Sequence, residues 1–262
     1  MVTIHNVRMK KLHLRLLPLA CGLTLAACAS TPPAPPSLPP QAASVAVSVP
    51  PVRHPDGETA QWWYRDGAAQ AGERGALAGR AKNVIVFLGD GMSLTTVAAA
   101  RILEGQRNGG SGEENRLAWE VFPATALAKT YNTDSQTPDS AGTMSAIATG
   151  VKTRAGVLSI GQQAQRRDCA GALAAPMLTL WELASSAGMA TGVVTTTRVT
   201  HATPGATFTH SADRNWENDT DLPDEAKRAG CTDIARQLVE TPFAHGFDVL
   251  MGGGRKNFMP VS

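Results

Sequence analysis

Residues Asn83 to Met92 read Asn-Val-Ile-Val-Phe-Leu-Gly-Asp-Gly-Met. The run Val84 to Leu88 is continuously apolar and β-prone and breaks at a Gly-Asp-Gly turn, as a strand buried in a parallel sheet does. Working outward, the sequence predicts helices over Ser93 to Leu103, Ser140 to Thr149, Pro176 to Ala187 (proline in the first turn) and Asp224 to Val239. It predicts further strands over Thr125 to Thr130, Val193 to Thr197 and Phe247 to Met251, the last followed by Gly252-Gly253-Gly254. Alternating strands and helices predict an α/β fold, a three-layer sandwich around a mostly parallel sheet.

The chain has 262 residues, 43% of them hydrophobic and 18% charged, enough to bury an ordinary core and too apolar for a disordered or fibrous protein. The formal charge of +2 comes from the start of the chain, where residues 1–27 carry Arg8, Lys10, Lys11 and Arg15 and no acid. The remainder is near neutral, so nothing points to nucleic acid as a partner.

The start reads as an address: basic residues, an apolar run from Leu16 to Ala27, then Leu25-Ala26-Ala27-Cys28. Twelve residues are too few to span a bilayer as a helix. The tetrapeptide resembles the lipobox of bacterial lipoproteins, which implies a signal peptide over residues 1–27 and lipidation of Cys28. Met9, just ahead of Lys10-Lys11, is a plausible start codon. Nine of the 17 prolines lie between Thr31 and Pro55, so residues 28–60 read as a lipid anchor and extended tether. Folded sequence is expected from Gln61-Trp62-Trp63-Tyr64, giving one domain over residues 61–262. Ala29 follows the anchor cysteine where an inner-membrane retention aspartate would stand. The lipoprotein resemblance therefore implies the cell envelope of a bacterium, on the periplasmic side of the outer membrane. With Cys21 in the signal and Cys28 lipidated, Cys169 and Cys231 remain, either as one disulfide or as two separately buried thiols. A bridge across 62 positions would contribute roughly 3 to 4 kcal/mol.

Ligands of open α/β sheets bind beyond the C-terminal ends of strands, and three polar groups fall there. Asp90 follows the first strand between two glycines, either as an exposed carboxylate or as the cap of the next helix. Thr137-Pro138-Asp139-Ser140-Ala141-Gly142 opens a helix, and an anion is favoured at such an N-terminus. Ser140 there is a nucleophile if its proton affinity is lowered, for which a metal ion would serve, and otherwise an ordinary cap. Thr200-His201-Ala202-Thr203-Pro204 follows the Val193 strand. An extended backbone would point His201 and Thr203 the same way, suiting a metal shell. Arg214 offers a rigid fork of donors matched to phosphate oxygens, or a surface ion pair.

Together, Asn83 to Met92, Pro138-Asp-Ser-Ala-Gly-Thr-Met-Ser-Ala-Ile-Ala-Thr-Gly-Val-Lys-Thr153, Val193-Val-Thr-Thr-Thr-Arg-Val-Thr-His-Ala-Thr-Pro204 and Arg214-Asn-Trp216 resemble, in order, the signature blocks of alkaline phosphatases. The resemblance runs from about Lys82 to about Lys256. It implies hydrolysis of phosphate monoesters with two zinc ions and one magnesium ion. Ser140 would be the nucleophile and also a metal ligand, Arg214 the phosphate clamp, and Asp139 the residue orienting Arg214. Asp90 would bridge a zinc and the magnesium, with His201 and Thr203 at the magnesium position. The Cys169 and Cys231 pair is similar to one in animal members, and since family members are commonly dimers the resemblance implies that a homodimer is possible.

The family's remaining ligands come from beyond the triple-glycine stretch, whereas this sequence stops at Ser262. Of the six histidines, His5 and His13 fall at or before the signal and His54 in the tether. Only His201, His210 and His245 are left, of which His210 matches no family ligand and His245 precedes its strand. The expectation is therefore an N-terminal portion of an alkaline phosphatase domain, its sheet incomplete at the C-terminus and several zinc ligands lacking. The alternative is a short non-catalytic lipoprotein that binds phosphate or a metal weakly. Asn218-Asp219-Thr220 fits a glycosylation sequon by chance in a bacterial chain, and Gly252 to Lys256 lacks the spacing of a phosphate loop.

Overall fold

A computed structural model of the chain describes residues 2–5, 59–75, 81–240 and 246–259. Cys28, most of the signal and tether stretches, His54 and His245 lie outside the described residues.

Helix α1, Ala60–Glu73, starts at Thr59, whose hydroxyl accepts from Trp62 N–H. Strand β1, Val2–His5, lies within the stretch read as a signal peptide and pairs antiparallel with β2, Ile85–Leu88. The predicted strand after Asn83 therefore forms, but it is neither parallel nor buried, and Phe87 is 65% exposed. A continuous apolar run specifies a strand without naming its partner, and with one neighbour its faces stay open.

The parallel sheet of this α/β chain is made by β3, Gly192–Arg198, and β4, Val249–Gly253. Gly192 pairs with Val249, Val193 with Leu250 and Val194 with Met251, and an irregularity precedes Arg198 with Gly253. Between the two strands lie α6 (Ala202–Gly205), α7 (Asp224–Arg228) and α8 (Ile234–Val239). The single helix expected over Asp224 to Val239 is broken, because Gly230 adopts a left-handed φ of 91° and Asp233 caps a fresh start by accepting from Arg236 N–H.

Helix α2 spans Leu94–Arg107 and α3 Ser140–Thr149, the latter ended by Gly150 in a left-handed conformation. Helix α5, Leu180–Ser186, begins four residues after Pro176, where Thr179 and Glu182 form a reciprocal capping box. Thr125 to Thr130 forms no strand and is exposed. Helix α4, Cys169–Ala174, was not anticipated.

Two apolar clusters hold these elements. Val157, Ile160, Trp216 and Leu222 pack around Cys169, which is joined to Cys231 by a disulfide, while Met144, Leu158, Phe208 and Ile234 fill the space behind α3 and α6. Val157 and Leu158 are adjacent and wholly buried, and each serves a different cluster, so this short segment ties the two together. Burying each such side chain contributes about 1.5–3 kcal/mol. Helix α3 also packs against α5 and α6, which brings the start of α3 beside the loop that follows β3.

Candidate active site

Asp90 stands one residue beyond Gly89 at the end of β2, and Gly91, at φ 66°, turns the chain away. The cap of α2 is Ser93, whose hydroxyl accepts from Thr96 N–H, so the Asp90 carboxylate is not spent on that helix. Its Oδ2 instead accepts from Thr203 Oγ at 2.8 Å. Thr203 sits in the helical turn α6 and not on an extended segment, with His201 as its cap residue. A helical turn still gathers the two side chains near one carboxylate, with His201 Nδ1 3.9 Å from Asp90 Oδ2.

At the start of α3 the cap is Asp139, which accepts from Gly142 N–H. Ser140 is thereby released from capping and holds the first helical position. The Asp139 carboxylate is gripped further by Asn132 Nδ2, Gly156 N–H and Arg214 Nη1. Burial pushes its pKa up, but these four donors outweigh burial and hold it below the ordinary value of 3.8.

Arg214 joins the two groups. Its Nη1 donates to Ser140 Oγ at 2.8 Å and to Asp139 Oδ2 at 3.2 Å, and its Nη2 donates to His201 Nε2 at 3.0 Å. A guanidinium only donates, so His201 Nε2 is the acceptor and a neutral ring carries its proton on Nδ1. Burial first, and then the Arg214 charge, keep the His201 pKa below 6.5. Asp90, Asp139, Ser140, His201, Thr203 and Arg214 thus form one connected cluster from four segments of chain.

Behind the cluster lies a network that no sequence pattern announced. Glu217 accepts from Arg198 Nε and Nη2, Thr200 Oγ and Asn257 Nδ2, linking the end of β3 to the 3-10 turn Arg255–Phe258. It holds the two residues around which the chain bends into His201. Asn218 Nδ2, the atom a glycan would take, donates to Asp221 and Asn257.

Asp90 and Thr203 are oxygen ligands of the kind magnesium takes alongside water. His201 Nδ1 is buried without a hydrogen-bond partner among the described residues and faces the same spot, suiting a bond to a metal-held oxygen. Zinc does not fit in the same way: among the described residues no three His, Cys, Asp or Glu side chains gather as a metal group.

Fold and site together define an α/β protein with a serine, an arginine and two carboxylates clustered at a helix start and a strand end. Residues 81–262 match the family model described as alkaline phosphatase, and the chain belongs to the alkaline phosphatase family. Membership implies metal cofactors. Over 180 residues the chain is 49% identical to the tissue-nonspecific alkaline phosphatases of mouse and human, covering 69% of this chain and 34% of each of those. It is 45% identical to the membrane-bound alkaline phosphatase of Bombyx mori over 214 residues, 78% of this chain and 39% of that one. The chain thus spans about a third of the length of the curated relatives it matches. Among solved structures, the Thermus thermophilus alkaline phosphatase aligns with TM-score 0.42 and 26% identity over 64% of this chain and 39% of that one. That of the Antarctic bacterium TAB5 aligns with TM-score 0.37 and 24% identity over 51% and 31%. No helix among the described residues is long and apolar enough to cross a membrane.

Proposed function

We propose that the protein hydrolyses phosphate monoesters through a phosphoserine formed on Ser140. The observation that carries this reading is the contact of Arg214 Nη1 with Ser140 Oγ at the first turn of α3. A positive donor on the oxygen and the positive end of a helix both favour the alkoxide over the hydroxyl, which makes the serine a better nucleophile.

In the first half-reaction Oγ attacks phosphorus and loses its proton. The bond from phosphorus to the ester oxygen breaks, and the alcohol leaves with a proton. Water then attacks the phosphoserine, releasing inorganic phosphate and restoring the hydroxyl. Arg214 has Nε–H and one Nη2–H beyond the bonds described, and these would be available to the spread negative charge of the transferring group. Asp139 holds the guanidinium in orientation, and His201 braces its other nitrogen.

Magnesium, when bound, would be held by Asp90 and Thr203 with His201 outside them, and would supply fixed positive charge beside the phosphoryl oxygens. The two zinc ions implied by the family resemblance would need ligands beyond the described residues. Family membership supports the substrate class, the name of the Bombyx mori relative supports a membrane association, and a dimeric assembly rests on the family resemblance alone. Lipidation at Cys28, with a place in a bacterial envelope, rests on the lipobox-like residues alone.

The test is release of inorganic phosphate from a simple aryl phosphate by the full-length protein with its native metals. Loss of release in Ser140→Ala supports the reading, and undiminished release contradicts it.

A further inference from the structure

Asp213, the residue before Arg214, has a side chain with no exposure at all. Arg166 grips its carboxylate at two points, Nε to Oδ2 at 3.2 Å and Nη2 to Oδ1 at 3.0 Å. Arg167 adds Nε at 2.9 Å, and Asn215 N–H donates to Oδ1 at 3.0 Å. Two consecutive side chains on a strand would point apart. Here both reach one carboxylate, and Arg167 takes a left-handed φ of 68° that non-glycine residues seldom adopt. Such conformations persist where surrounding contacts enforce them, and they concentrate at functional sites.

Gly156 links this clamp to the candidate active site. Its N–H donates to Asp139 Oδ2, the oxygen that also receives Arg214 Nη1, and its carbonyl accepts the backbone N–H of Arg214 at 2.9 Å. A Cβ on Gly156 would lie 2.6 Å from Arg166 Nε, so any side chain there would push the arginine off its present course to Asp213. One residue therefore touches the carboxylate that orients the guanidinium, the backbone that carries it, and the side chain that clamps its neighbour.

We infer that the Arg166–Asp213 pair, laid across Gly156, is a positioning device that sets the Arg214 guanidinium against Ser140. Arg166 has Nε and Nη2 turned inward onto a buried acid, so it acts through Arg214 and is not itself a phosphate ligand. Because Arg214 is long, a small shift of its backbone is carried to the guanidinium as a displacement of the donors. The inference rests on the anion-holding role of Arg214 proposed above.

The test is calorimetric titration of inorganic phosphate into the full-length, metal-loaded protein as wild type, Arg166→Ala, Arg214→Ala and the double variant. Residues coupled through one path give non-additive effects, so Arg166→Ala is expected to weaken phosphate about tenfold in the wild-type background and less than about twofold when Arg214 is already absent. Equal weakening in both backgrounds would make Arg166 a direct ligand or a general prop of the fold, and no weakening in either would leave Arg214 needing no bracket. Each of those results overturns the inference. Unchanged affinity in Arg214→Ala alone removes the anion role of Arg214 and the inference with it. Should Arg166→Ala fail to fold, Arg166→Lys keeps the charge, loses the two-point grip, and is read in the same two backgrounds with the same criteria.

Discussion

Arg214 Nη1 lies 2.8 Å from Ser140 Oγ and 3.2 Å from Asp139 Oδ2, so one nitrogen of the guanidinium is shared between a hydroxyl and the carboxylate that caps the same helix. The hydroxyl accepts from a charged donor while the acid keeps that donor in place. In the proposed reaction, orientation and activation of Ser140 would thereby depend on a single side chain.

Arg214→Ala removes this donor. Hydrogen bonds to charged groups contribute about 1.5–3 kcal/mol, so inorganic phosphate should bind roughly 10- to 150-fold more weakly. Metal content measured by elemental analysis should be unchanged. Loss of metal with the substitution would give Arg214 a structural role.

Asp139→Ala removes the cap of α3 and leaves Gly156 N–H and part of Arg214 without their acceptor. Stability to urea should fall by about 1–3 kcal/mol at neutral pH. Because the folded carboxyl has a depressed pKa, its contribution is present above 3.8, the ordinary value, and is lost as pH falls through the folded value. The gap between wild type and variant should therefore close in acid. A gap independent of pH would contradict the assignment.

His210 carries a second pH-dependent contact. Its Nδ1 lies 2.8 Å from the Ser159 carbonyl and its Nε2 3.2 Å from Glu182 Oε1, and both partners only accept. Both ring nitrogens must then donate, which requires the imidazolium. Burial opposes the charge, but Glu182 and Ser159 outweigh it and raise the pKa above 6.5. This contribution is complete below the unfolded value and disappears as pH rises through the raised folded one. On the acid side it ends as pH falls through the depressed folded value of Glu182, below 4.5. Urea midpoints of wild type and His210→Gln should differ most in the mildly acidic range and converge in alkali. Divergence in alkali would contradict the charged pair.

The Cys169–Cys231 disulfide closes a loop of 62 positions, which limits the unfolded chain by about 4 kcal/mol in the loop-entropy description. Reduction, or the paired substitution Cys169→Ala with Cys231→Ala, should lower the denaturant midpoint accordingly. An unchanged midpoint would show that the Val157 cluster holds without the bridge.

The sequence made α3 legible to the residue, because small helix-compatible residues run from Ser140 to Thr149 and Gly150 ends them. It did not reveal that Asp139 takes the capping role, since Asp and Ser cap equally well and the other donors that hold Asp139 come from distant segments. The strand at Ile85–Leu88 was legible as a strand, but its partner was not, because pairing is set by segments far apart in sequence. Glu217 belongs to an irregular segment with no periodicity to read, while Arg198 ends β3 and Asn257 lies in a short 3-10 turn, so their network emerges only once the chain folds. The same holds for Asp213, whose partners Arg166 and Arg167 precede it by more than 40 positions.

The measurement that tests the central claim most directly is acid-quench trapping of the full-length, metal-loaded protein during turnover of a labelled phosphate monoester, followed by peptide mapping. The account predicts label on the peptide containing Ser140, at Ser140 itself, and none in Ser140→Ala. Label retained in that variant, or turnover by wild type without any phosphorylated peptide, would contradict it.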